Sequence, residues 1–247
     1  MRSNKEWIHW GRTDPLWGVS PAAGKERGGV QPWTAEQFMA IGATDFAELL
    51  PIWRSYGMGH KHCIEIGCGS GRMTNQLLSV FERVTALDVS AEQIENAKRL
   101  LGSKADRVHF AVVSEPEIPL PDGSADAMFS CGVFLHFSSF DGVERYLRSA
   151  FAKLEPGSSI AFEVPVVGMQ AGSEFWHFCQ RLLTKTARTL GRRSIMERRS
   201  FHAPQVFEVL SDCGYVAREL RVCPPERRSL GRGRFFARTP DGAAGKD

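Results

Sequence analysis

The sequence predicts an α/β fold: a doubly wound, mainly parallel seven-stranded sheet, helices on both faces, and an antiparallel hairpin at the C-terminal end. Three observations carry this. From residue 60 onward, short apolar runs alternate with amphipathic segments, the signature of strand–helix–strand units whose right-handed crossovers build a parallel sheet. The first run, CIEIGCGSGRMT over residues 63–74, passes into three glycines and then into a helix. Near the end, YVARELRV and GRFFART read as two more strands close enough in the chain to pair with each other.

Taken in order, residues 1–58 read as an aromatic-rich helical appendage or lid, with Trp7, Trp10, Trp17 and Trp33 crowded into its first part. DPLWGVSPAAGKERGGVQPW is rich in Gly and Pro and is expected as loop. TAEQFMAIGATDFAELLPIW reads as one or two helices through Phe38, Met39, Ile41, Phe46, Leu49 and Leu50. Residues 59–240 form the main domain. KHCIEIG is its first strand and GRMTNQLLSVF its first helix. RVTALDV and SAEQIENAKRLL follow, with Ser90 as helix cap and Gln93 completing a capping box. RVHFAVV is the third strand, and Pro121-Asp122-Gly123 supplies a turn before the fourth, DAMFSCGVF. FDGVERYLRSAFAKL is a helix with Val143, Tyr146, Leu147, Ala150, Phe151 and Leu154 on one stripe. EPGS turns the chain into the fifth strand, SIAFEVPV. An insert at about 168–203 holds the helical EFWHFCQRLLTKTARTL. APQVFEVLSDCG is a helix capped by Gly214, and residues 241–247 are a flexible tail.

Composition narrows the classes. No run of about eighteen apolar residues is present to span a bilayer, and the polar, aromatic start lacks a secretory pattern, so cytoplasm is the simplest location. The cysteines at 63, 68, 131, 179, 213 and 223 form no C-x-x-C pair. That argues against a metal site and against a disulfide framework. The net charge of +3 is mild, but arginines crowd residues 181–238, which suits either an anionic acceptor or a plain solvated surface.

The chemistry concentrates at the glycine loop. In such a sheet ligands sit at the carboxyl ends of strands, where the chain order switches. Gly67, Gly69 and Gly71 permit tight turning and close backbone approach. Asp88 ends the second strand, where a carboxylate accepts hydrogen bonds from both hydroxyls of a ribose. A dinucleotide loop requires a third glycine where Arg72 stands. Glu65, just before the loop, also repels a pyrophosphate and favours a ligand with a cationic end.

EIGCGSGRMT, ALDVS and IPLPDGSAD together resemble the class I S-adenosylmethionine-dependent methyltransferases, over about residues 60–165. The resemblance implies S-adenosyl-L-methionine as cofactor, with Gly67, Cys68, Gly69, Gly71 and Arg72 in the loop against its methionine portion. It implies that Glu65 helps hold the amino group, that Asp88 binds the ribose and that Val89 packs by the adenine. Ser114 falls where the family commonly has an adenine-binding Asp, and the neighbouring Glu115 is its possible substitute. Cys131 lies just past the fourth strand, beside the cofactor.

His136, in CGVFLHF, is the candidate general base, because imidazole titrates near neutrality. The alternative is a histidine that anchors its own loop. His177 and His202 are further candidates, and Glu163 ends the fifth strand either facing the cleft or in a structural role. The family's amino-directed enzymes carry an Asn/Asp-Pro-Pro-Tyr/Phe stretch where this chain has SCGVF. The expected activity is therefore methyl transfer to an oxygen of a small sugar, lipid-linked or secondary-metabolite acceptor. An RNA methyltransferase and a non-catalytic cofactor-binding regulator are the competing readings. No metal is expected, a nucleic-acid partner is the less favoured alternative to a small-molecule acceptor, and the oligomeric state is left open.

Overall fold

The computed structural model describes residues 2–167, 198–223 and 232–242. Seven strands form one sheet: β1 (His62–Ile66), β2 (Arg83–Asp88), β3 (Val108–Val112), β4 (Ala125–Ser130), β5 (Leu154–Pro165), β6 (Val216–Cys223) and β7 (Arg232–Arg238). Their order is β3-β2-β1-β4-β5-β7-β6. The first five run parallel, and β7 is antiparallel to both β5 and β6. Chain order reverses between β1 and β4, so the crevice at their carboxyl ends is where such a sheet accommodates a ligand.

Helices cover both faces. α3 (Ala35–Ser55), α4 (Arg72–Leu77) and α5 (Ala91–Leu101) lie on one, and α6 (Asp141–Lys153) and α7 (Ala203–Cys213) on the other. Strand alternation divides the core accordingly. Cys63, Ala127, Ala161 and Phe236 face α3, whereas Ile64, Met128, Ile160 and Phe235 face α6 and α7. Trp53 anchors the first layer: it is fully buried and its Nε1 donates to Ser159 Oγ at 2.9 Å. Its indole therefore brings apolar area into the core without orphaning its N–H.

The N-terminal region adds α1 (Arg2–Thr13) and α2 (Pro15–Val19). α2 falls inside the segment expected as loop. Asp14 accepts the Trp17 N–H and Pro15 opens the helix, and together these suffice for one turn. α3 is a single helix despite Pro51. The helix expected through Phe81 ends as α4 at Leu77. β5 starts at Leu154, so EPGS is not a separate turn but an irregular strand start with Gly157 at φ 76°.

The capping of α5 also differs from expectation. Ser90 Oγ accepts the Gln93 N–H at 3.2 Å as expected, but the Ser90 N–H donates to Asp88 Oδ1 at 2.9 Å. The charged carboxylate outcompetes an amide, and the Gln93 side chain instead accepts from Ser70 Oγ and donates to the Pro15 carbonyl. Gly214 does cap α7 in the left-handed region. The helix expected at 174–190, with His177, and most of the 168–203 insert and of the 241–247 tail lie outside the described residues. No helix among the described residues is long and apolar enough to cross a membrane, and no cluster among them has the makings of a metal site.

Candidate active site

Three elements meet at the switch point. The glycine loop leaves β1 and is stitched to β2: the N–H groups of Gly67 and Cys68 both donate to the Leu87 carbonyl, at 2.8 and 3.0 Å. Asp88 then clamps the loop from the end of β2. Its Oδ2 accepts the Gly69 N–H at 2.8 Å, while Oδ1 takes the Ser90 N–H. Each carboxylate oxygen retains a lone pair. Burial raises the Asp88 pKa, against the backbone donors of Ser90 and Gly69 that lower it. Past β4, the chain bends through Gly132 (φ 71°) into a short turn, Phe134–His136.

Between these lies a cavity that is partly open to solvent. Its wall brings together most of the residues expected from sequence: Gly67, Gly69, Arg72, Asp88, Val89, Ser114, Glu115, Cys131 and His136. Glu65, Cys68 and Gly71 stand behind that wall. Glu65 is buried against α4, where its Oε2 accepts Thr74 Oγ1 at 2.6 Å, and burial pushes its pKa up to about 7. Gly71 starts α4 with φ 84° and packs on Ala97.

Close approach at the loop is made partly by protein side chains. A Cβ on Gly67 would stand 2.2 Å from Val133 Cγ2, and one on Gly69 would stand 2.7 Å from Val19 Cγ2. Both valines belong to the cavity wall. The glycines therefore admit these valines as well as leaving backbone exposed to a ligand.

The two ends of the cavity differ in character. At one, Val89, Val113 and Pro116 form an apolar slot. Near it the Ser114 carbonyl accepts Asn4 Nδ2 at 3.2 Å and Glu115 pairs with Arg145 at 3.3 Å. At the other, Arg72 pairs with Asp45 of α3, while its buried Nε has no hydrogen-bond partner. Cys131 Sγ donates to Glu163 Oε2 at 3.3 Å, and burial raises that thiol's pKa well above its usual value. Glu163 is itself held by Arg234, Nε to Oε1, at 3.1 Å, so its role is a buried structural pair. His136 stands in the wall with the Trp7 ring edge-on at 4.6 Å.

Several wall residues carry no sequence signal for a site. Asn4 arrives on α1, Val19 on α2, and Phe137 and Tyr146 from beyond β4, whereas Trp7, also on α1, belongs to the aromatic run expected as appendage or lid. Tyr146 sits in the apolar stripe of α6, and only its polar tip distinguishes it from the leucines there. His202, by contrast, starts α7 as its N-cap residue and lies outside the cavity wall.

Residues 64–162 match a family model described as a methyltransferase domain. Over these residues the chain carries a methyltransferase domain. Among curated proteins, the domain resembles an O-methyltransferase, cnsE, of Penicillium expansum, 32% identical over 107 residues, which are 40% of this chain and 36% of that protein. It resembles equally a malonyl-[acyl-carrier protein] O-methyltransferase of Ilyobacter polytropus, 33% identical over 101 residues, or 40% of this chain and 37% of that protein. The match thus spans little more than a third of the length of these relatives. Among solved structures, the N-methyltransferase NodS of Bradyrhizobium japonicum, in complex with S-adenosyl-L-homocysteine, shares the fold. Its TM-score is 0.64 at 15% identity, covering 98% of this chain and 100% of that one. That likeness of fold extends over the N-terminal helices as well.

Proposed function

We propose that this protein is an S-adenosylmethionine-dependent methyltransferase that passes a methyl group to an oxygen of a small-molecule acceptor. One observation carries the reading: Asp88 clamps the Gly69 N–H while keeping an open lone pair on each oxygen at the cavity. That geometry suits paired ribose hydroxyls. The rest of the wall fits the same ligand. Val89, Val113 and Pro116 offer an apolar slot for a flat base, and the unpartnered, buried Arg72 Nε supplies a donor for a carboxylate. The ionised form of Glu65, favoured by a nearby ammonium, completes a zwitterion-binding end from behind the loop.

When bound, the cofactor supplies a methyl group on a positively charged sulfur. The protein's part is to align, to dry the site and to move one proton. Alignment alone is worth about 7–11 kcal/mol. α1 acts as the lid, since Asn4 and Trp7 form part of the cavity wall and water excluded there strengthens every polar contact inside. As the new carbon–oxygen bond forms, His136 takes the proton of the acceptor hydroxyl, which contributes roughly 10²–10⁴-fold. The backbone N–H of Arg199 donates to the Leu135 carbonyl at 2.7 Å, which ties residue 199 to the turn that carries His136.

Titration calorimetry with S-adenosylmethionine, S-adenosylhomocysteine and NAD tests the cofactor reading. Micromolar binding of the first two and none of NAD is expected; preferential NAD binding overturns it. For the chemistry, His136→Ala is expected to lower turnover about 10²-fold or more while cofactor affinity holds. Unchanged turnover removes His136 as base.

A further inference from the structure

Tyr146 is the wall residue that neither the glycine loop nor the acid after β2 accounts for. Its side chain is 96% buried by exposure (4% relative), yet it borders the cavity. The ring is gripped by Phe134 and Phe137, at centroid distances of 6.2 and 6.0 Å. Its hydroxyl makes no hydrogen bond with any described residue. The oxygen is not among the fully enclosed side-chain atoms that lack a partner, so it opens on the space of the cavity, where a bound ligand can meet it. Tyr215, the other deeply buried tyrosine, does satisfy its hydroxyl, donating to the Leu147 carbonyl.

The surroundings say what kind of partner is missing. Tyr146 shares the cavity wall with Asp88 and Glu115, and both carboxylates act on its phenol. Burial and these two acids hold the phenol well above its usual pKa. It therefore stays protonated and presents an O–H donor to a neutral acceptor. At this end the Ser114 main-chain carbonyl accepts from Asn4, and the Glu115 carboxylate pairs with Arg145. A base lying in the Val89–Val113–Pro116 slot offers ring nitrogens, which are neutral acceptors.

We infer that the Tyr146 hydroxyl reads the purine of the bound nucleoside by donating a hydrogen bond to one of its ring nitrogens. This rests on the proposed cofactor and adds to it a base-specificity residue on α6. Ring burial fixes the donor in advance, so little side-chain entropy is lost when the base arrives.

The test is binding, not turnover. S-adenosylhomocysteine and its three analogues lacking N1, N3 or N7 are titrated into wild type and Tyr146→Phe. Wild type is expected to bind one analogue about tenfold more weakly than the parent, and Tyr146→Phe to bind the parent about tenfold more weakly while no longer distinguishing that analogue. Because the hydroxyl has no partner among the described residues, the melting temperature of the unliganded variant should equal that of wild type. Equal parent affinity for the two proteins overturns the inference, as does a wild type indifferent to all three analogues. A loss in Tyr146→Phe that is the same for parent and every analogue overturns it too. Wild type that binds no S-adenosylhomocysteine at all sinks the cofactor reading itself, and this inference with it.

Discussion

At the residue scale, two carboxyls carry the site's electrostatics. Glu65 is fully buried, and burial raises its pKa from 4.5 to about 7. A group whose folded-state pKa is raised contributes stability that is whole below its unfolded pKa and is lost as pH rises through the folded value. Stability of the unliganded protein should thus fall between about pH 5 and pH 8, with Glu65 contributing on the order of 3 kcal/mol. Glu65→Gln should flatten this slope; an unaltered slope in urea melts across that range contradicts the assignment. Asp88→Asn should weaken S-adenosylhomocysteine binding roughly a hundredfold, since two hydrogen bonds to a charged acceptor are degraded. Calorimetry showing a loss below threefold would place the ribose elsewhere.

At the element scale, α1 and α2 are the parts of the appendage that touch the cavity. α1 reaches from Asn4 at the Ser114 end, past Trp7 on His136, to Arg12, which pairs with Glu92 of α5 at 2.5 Å. As a lid, α1 should govern exchange more than folding. Trp7→Ala is expected to raise the dissociation rate of S-adenosylhomocysteine several-fold, read by stopped flow, while the melting temperature moves by only a degree or two; an unchanged rate argues that α1 stays shut. α2 is coupled to the loop through Val19. Gly69→Ala places a Cβ 2.7 Å from that valine at φ 51°, so it should cost about 1–3 kcal/mol of stability. A variant as stable as wild type would mean that α2 yields freely.

At the scale of the whole molecule, the sheet and its N-terminal layer are tied by the Glu163–Arg234 pair, each side chain only 6% exposed. Arg234 links β7 to β5 and also reaches Glu48 on α3, at 3.3 Å. Removing one member leaves a buried charge, so Arg234→Met should cost about 3–5 kcal/mol in chemical unfolding. Adding Glu163→Gln should recover most of it; a double variant no better than the single one contradicts this account. The same pair explains why Glu163, legible in the sequence only as an acid at a strand end, serves the frame of the cleft.

What the sequence by itself determined was local in origin. The alternation of strand and helix, the glycine bend after Ile66, the acid at 88 and the cap at Ser90 all follow from periodicity and short-range stereochemistry, which act over a few neighbouring residues. The extents of α4 and β5, the helix at Pro15 and the partner of Gln93 did not follow, because competing acceptors and packing settled them. Only the tertiary structure brought Asn4, Val19, Arg72 and Tyr146 into one wall, since their proximity depends on crossovers and helix packing that link residues more than a hundred positions apart. It also decided that Glu65 lies behind the loop, because strand alternation turns its side chain towards Thr74 of α4, and that Cys68 is buried in the core layer on that same face.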